Sequence, residues 1–127
     1  MFKELNLNPK DKDTSDCVIR AIAYCLDVSW ENAYTLLYQK GLELKEPMLV
    51  TKVMDAVLKD HNWEPHKPLR HSEDNSLYTI EETSKEVDKA LINVRNSHVS
   101  CIDNGYIVDT WNCSHQRSGV FWTPPKE

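Results

Sequence analysis

The chain has no apolar stretch approaching the length of a membrane span, and its first residues, MFKELNLNPKDKD, are too polar for a secretory leader. It has no run of Lys and Arg interleaved with aromatic residues, and its formal charge is −5. Phosphate binding needs a net basic face, so the charge argues against nucleic acid as the main partner. No C-x-x-C occurs among the cysteines at 17, 25, 101 and 113, which argues against a structural zinc site. Internal repeats and low-complexity tracts are also missing. The expectation is a cytoplasmic protein that does not engage membranes. In that reducing compartment its four cysteines should be free thiols, not two disulfides.

What is present fits a single domain spanning 1–127. A chain of 127 residues buries roughly two-thirds of its unfolded surface and needs no disulfide or metal staple. Apolar residues make up 40% and charged residues 28%, as in ordinary globular proteins. Cys25, Cys101 and Cys113 read as small buried or half-buried residues.

The first half reads as helical. Residues 15–27 are almost uniformly apolar apart from Arg20, so this helix should be buried on most sides, with Thr14, Ser15 or Asp16 to cap it. Ser29 can cap a second helix running to about Gln39 and ended by Gly41. In it Trp30, Ala33, Tyr34, Leu37 and Tyr38 recur at helical spacing. Residues 48–61 give a third helix. Residues 62–78 hold two prolines and little periodicity, and read as a long connection. A short acidic helix follows over 79–88, with Thr79 or Thr83 as cap. Strands are expected at 90–95, 98–103, 106–111 and 118–123, with Asn104-Gly105 as a type I′ hairpin turn. Helices first and an antiparallel sheet last make the fold class α+β.

Two distant segments carry chemistry: T14-S-D-C-V-I-R-A-I-A23 and H98-V-S-C-I-D-N-G-Y-I-V-D-T-W111. With Asn104-Gly105 at the turn, Asp103 faces Tyr106, Ser100 faces Asp109 and His98 faces Trp111. All four outer residues then share one sheet face, while Asn112 points away. His98 and Asp109 become diagonal neighbours with β-carbons roughly 7 Å apart, within reach of a carboxylate–imidazole bond. Trp111 should lie against the imidazole and keep water off that bond. Cys17 opens a helix, where free N–H groups and the positive dipole end favour thiolate, although Asp13 and Asp16 oppose this locally. Nucleophile, base and orienter are therefore Cys17, His98 and Asp109.

Other chemistry-bearing residues read blandly. His61, His66 and His71 recur every five residues, a spacing that suits neither a helix face nor a strand face, so they are expected to be solvated loop residues and not metal ligands. Trp63 is expected to plug the core. The acids Glu81, Glu82, Glu86 and Asp88 read as a solvated helix face.

The stretch D16-C-V-I-R-A with H98-V-x-x-I-D-N-G-x-I-x-D-T-W resembles small papain-like cysteine peptidase-type proteins of phages and their bacterial hosts. It is similar in kind to the bacteriocin-processing cysteine peptidases and, more distantly, to papain. The resemblance implies a papain-like fold, with N-terminal helices packed on a C-terminal antiparallel sheet. It implies Cys17 as nucleophile, His98 as general base and acid, and Asp109 as orienter. Papain-like enzymes place a Gln about six residues before the Cys; this chain has Asp11, and an ionised carboxylate cannot donate. The Cys17 N–H remains as one oxyanion donor, with Asn8, Lys12 and Thr14 as candidates for the second. The expected activity is hydrolysis of a peptide or isopeptide bond in a protein or peptide substrate, with no metal or organic cofactor required. Acyl transfer to an amine by the same triad, and a non-catalytic binding protein that blocks a host or anti-phage factor, are the alternatives.

Overall fold

The computed structural model describes residues 1–95 and 98–126. The chain runs β1 (Phe2–Glu4), α1 (Cys17–Leu26), α2 (Trp30–Leu44), α3 (Thr51–Asp60), β2 (Glu64–His66), α4 (Ile80–Ser84), β3 (Lys89–Val94), β4 (His98–Asp103), β5 (Tyr106–Asp109) and β6 (Ser118–Thr123). The fold is α+β: four helices and a six-stranded mixed sheet in the order β1-β5-β4-β3-β6-β2 among the described residues.

The expected antiparallel sheet needs one correction. β1 joins it in parallel to β5, with Phe2 opposite Ile107 and Glu4 opposite Asp109. Three residues carry too little alternation to read as a strand, but they cover the row of backbone groups that β5 would otherwise present as an open edge. The other addition is β2, antiparallel to β6 inside the stretch expected to be a loop. Pro65 sits in it without cost to the ladder, because β2 is the opposite edge of the sheet.

The hairpin is as the sequence dictates. Asn104 and Gly105 both take positive φ, 54° and 82°, as a type I′ turn requires. The register pairs Asp103 with Tyr106, Ile102 with Ile107 and Cys101 with Val108.

The sheet divides the core in two. On one side Val99, Cys101, Val108 and Trp122 pack with Ile22, Leu37, Met54 and Leu58 of α1–α3. On the other, Ile92, Ile102, Ile107 and Phe121 pack with Ile80 of α4 and Cys113. Trp63 is buried in the first cluster, as expected of a plug. The short helix α4 begins with a capping box between Thr79 and Glu82.

Helix α2 continues past Gly41, contrary to the stop signal read there, and ends at Lys45 in the left-handed region with φ 58°. Gly41 serves a different purpose. A Cβ on it would stand 2.9 Å from the Glu46 carbonyl oxygen and 3.3 Å from the Met48 Cα. Only glycine lets the returning segment at 46–48 lie this close to the helix.

Of the histidines expected to be solvated, His61 is exposed, while His66 and His71 are half-buried and engaged. His66 bonds Thr123 Oγ1 through Nε2 at 2.7 Å and stacks on Phe121, and His71 bonds Glu82 at 3.2 Å. His61 Nδ1 meets the Val57 carbonyl at 2.9 Å. Their partners are separate, so they form no common site. No helix among the described residues is long and apolar enough to cross a membrane.

Candidate active site

His98 opens β4 and Asp109 closes β5. In an antiparallel pair this places both at the same end of the sheet. The imidazole Nε2 and Asp109 Oδ2 are 2.6 Å apart, with both side chains largely buried. The diagonal pairing read from the turn is therefore present. β5 ends at Asp109, two residues short of the expected strand end, yet Trp111 still lies against the imidazole, its ring centroid 4.9 Å from that of His98. It covers one side of the imidazole while remaining 43% exposed itself.

Cys17 is the first residue of α1 and half-buried, and His98 is among the groups that act on its thiol. With Nε2 committed to Asp109, Nδ1 is the nitrogen left for the thiol. Burial pushes the Cys17 thiol up, but the His98 imidazole, the Val99 N–H and the Arg20 guanidinium outweigh it and hold the thiol below its ordinary value. Burial pushes His98 down, and the bonds to Asp109 and Cys17 reverse this and raise it to about 9. Burial likewise raises Asp109, while His98, Ser100 and the Thr110 N–H lower it further, so it stays ionised. The three shifts favour one state: thiolate, imidazolium, carboxylate.

The start of α1 is organised around Asp16, which the sequence cast as an opponent of the thiolate. Asp16 stands at the N-cap position, yet its side chain caps no helix N–H. It is buried and accepts from Arg20 Nε at 2.8 Å, Trp30 Nε1 at 2.9 Å and Asn8 Nδ2 at 3.1 Å. These donors lower its pKa against the upward push of burial. Its charge is matched by Arg20.

Arg20 also reaches Asp109 Oδ1 at 3.5 Å and Thr110 Oγ1 at 3.2 Å. One guanidinium thus ties the start of α1 to the carboxylate that bonds His98. The sequence held a signal for it: the lone charge in an apolar helix, four residues after Asp16, is an i,i+4 ion pair. Cys113 was read only as a packing residue, but its thiol donates to Asp109 Oδ2 at 3.7 Å. Nothing in its sequence context marks that contact.

The candidates for a second oxyanion donor lie in different surroundings. The Asn8 amide is engaged by Asp16, because a buried carboxylate must be matched by donors. Lys12 and Thr14 line a depression together with Asp16, Arg20 and Trp111. The Cys17 N–H has no protein acceptor among the described residues and stands at the positive end of α1. Asn112, set aside as orienter, turns to Ser114.

His98, Asp109 and Cys113 place their ligand atoms within 4.8 Å of one another. Two ligands of a tetrahedral zinc, each ~2.0–2.1 Å from the ion, stand roughly 3.3 Å apart. His98 and Asp109 are closer than that, at a distance that shares a proton and not an ion.

No family model, no curated protein and no solved structure matches the chain.

Proposed function

We propose that the protein is a cysteine hydrolase of papain-like fold that cleaves a peptide or isopeptide bond through Cys17, His98 and Asp109. One observation carries this reading: a buried carboxylate holds the His98 imidazole at 2.6 Å, and that imidazole lowers a helix-start thiol while being raised itself. Arg20 supports it by joining the two halves of the arrangement.

In this reaction the Cys17 thiolate attacks the carbonyl carbon, and the carbonyl electrons move to oxygen. The Cys17 N–H donates to that oxyanion at the helix start. As the tetrahedral centre collapses, His98 gives its proton to the departing amine, leaving a thioester on Cys17. Water, deprotonated by neutral His98, then releases the acid and restores the thiol–imidazole pair. Asp109 keeps the imidazole oriented and stabilises its charged form throughout.

The test is acylation itself. Incubation with a peptide mixture should produce new N-termini and an acyl mass on Cys17, both absent in Cys17→Ala. Wild type indistinguishable from Cys17→Ala would overturn the proposal. A product that forms only with added amine would assign the triad to acyl transfer instead.

One observation favours a second reading. The Asn8 amide is already bonded to Asp16, which takes one candidate oxyanion donor into a structural contact, as would befit a papain-like scaffold kept for binding. Such a protein would bind its target equally well as wild type and as Cys17→Ala, without acylation of either.

A further inference from the structure

Of the eight large hydrophobic residues exposed among the described residues, five lie on α2 or on the segment after it: Tyr34, Tyr38, Leu42, Leu44 and Leu49. Three of them, Tyr34, Tyr38 and Leu42, follow at intervals of four and so share one helix face. Tyr38 is 50% and Leu42 54% exposed. The core does not need this face, because α2 already buries the adjacent row Ala33, Leu37 and Gly41, about 100° round the helix.

The exposed stripe meets the candidate active site at both ends. At its start, Tyr34 packs on Trp30 with ring centroids 5.6 Å apart, and Trp30 donates to Asp16, the neighbour of Cys17. At its far end, Gly41 admits the segment at 46–48, so that Met48 joins Tyr34, Tyr38 and Leu42 around one shallow groove. The next two residues, Leu49 and Val50, line a cleft of about 510 Å³ with Val18, Val94 and His98. Met48 of the groove and Leu49 of the cleft are consecutive, so the cleft at His98 and the groove on α2 adjoin along the chain.

We propose that groove and cleft together are the docking surface for an apolar stretch of the polypeptide substrate, which places the scissile bond at Cys17. The inference rests on the hydrolase reading for the substrate's fate, but not for its binding. The geometry selects a polypeptide over a small amide, because Tyr34 to Leu42 alone spans about 12 Å at 1.5 Å per residue. An extended partner covers that length with about four residues. Lys45 and Glu46 border the groove with opposite charges, so recognition comes from apolar contact and not from net charge. Tyrosines suit such a surface, since they give large contact area at low entropic cost.

The experiment uses full-length Cys17→Ala, which can bind without turning over. Fluorescence anisotropy compares a labelled decapeptide carrying three Leu or Phe side chains with the same peptide carrying Ser at those places. The apolar peptide should bind at least tenfold more tightly. Adding Tyr38→Glu or Leu42→Glu should remove that preference with an unchanged melting temperature, and Tyr38→Ser serves as a milder second variant. Equal binding of the two peptides, or a preference untouched by these substitutions, would overturn the inference. So would a concentration-dependent dimer dispersed by Tyr38→Glu, which would assign the surface to a second copy of the chain. Failure of the hydrolase reading shows separately, as ordinary iodoacetamide reactivity of Cys17 beside an intact peptide preference.

Discussion

Two thiols lie close to the His98–Asp109 pair, and the pair affects them in opposite ways. Cys17 meets the imidazole and the start of a helix, and its pKa is held below the ordinary value despite burial. Cys113 meets the carboxylate, and burial together with Asp109 pushes it up to about 12. Cys101 makes the same point deeper in the core, where the Cys25 sulfur 3.3 Å away and burial push it far above its usual value. Burial alone therefore does not set the direction of a thiol's shift; beside the pair, the imidazole lowers one sulfur and the carboxylate helps to raise the other.

The comparison breaks most completely at Cys17. Cys17→Ala should abolish turnover and acylation while leaving the circular dichroism spectrum intact. His98→Ala should come next, lowering Cys17 alkylation at pH 6 by about 10²-fold, the usual worth of a positioned base. Asp16→Ala tests the support of the site. It leaves Arg20, Trp30 and Asn8 without their shared acceptor, and loss of a buried ion-pair partner costs about 3–5 kcal/mol, read as a lowered denaturant midpoint.

The pH dependence of stability sharpens the comparison further. His98 has its folded pKa raised from 6.5 to about 9, so its contribution is fully present below 6.5 and is lost as pH rises through about 9. The difference in unfolding free energy between wild type and His98→Ala should therefore shrink from pH 6 to pH 10. Asp16 and Asp109 act in the opposite sense: both are lowered from 3.8, and their contributions are lost only as pH falls through their folded values. The smallest effect belongs to Cys113→Ser, for which Cys17 alkylation should stay within about twofold of wild type, because that thiol donates to an already ionised Asp109.

The hairpin and its contents were legible because a two-residue turn fixes register, and register fixes which side chains share a face. Asn104-Gly105 therefore led to the His98–Asp109 pair and to Trp111 without further information. The cap of α4 at Thr79 was legible for a similar local reason. Contacts made across long separations left no such trace. β1 finds β5 a hundred residues away through three residues of unremarkable composition. The donors to Asp16 come from Asn8, Arg20 and Trp30, three elements that only tertiary packing brings together. Gly41 misled because a glycine late in a helix signals both a stop and a close approach, and the segment at 46–48 decides between them.

The central claim is that His98 holds Cys17 as a thiolate. The most direct measurement is the rate of Cys17 alkylation by iodoacetamide as a function of pH, mapped by mass spectrometry in wild type and His98→Ala. The account predicts rapid labelling well below pH 8 in wild type and an ordinary thiol profile in His98→Ala. The same ordinary profile in both proteins would contradict it.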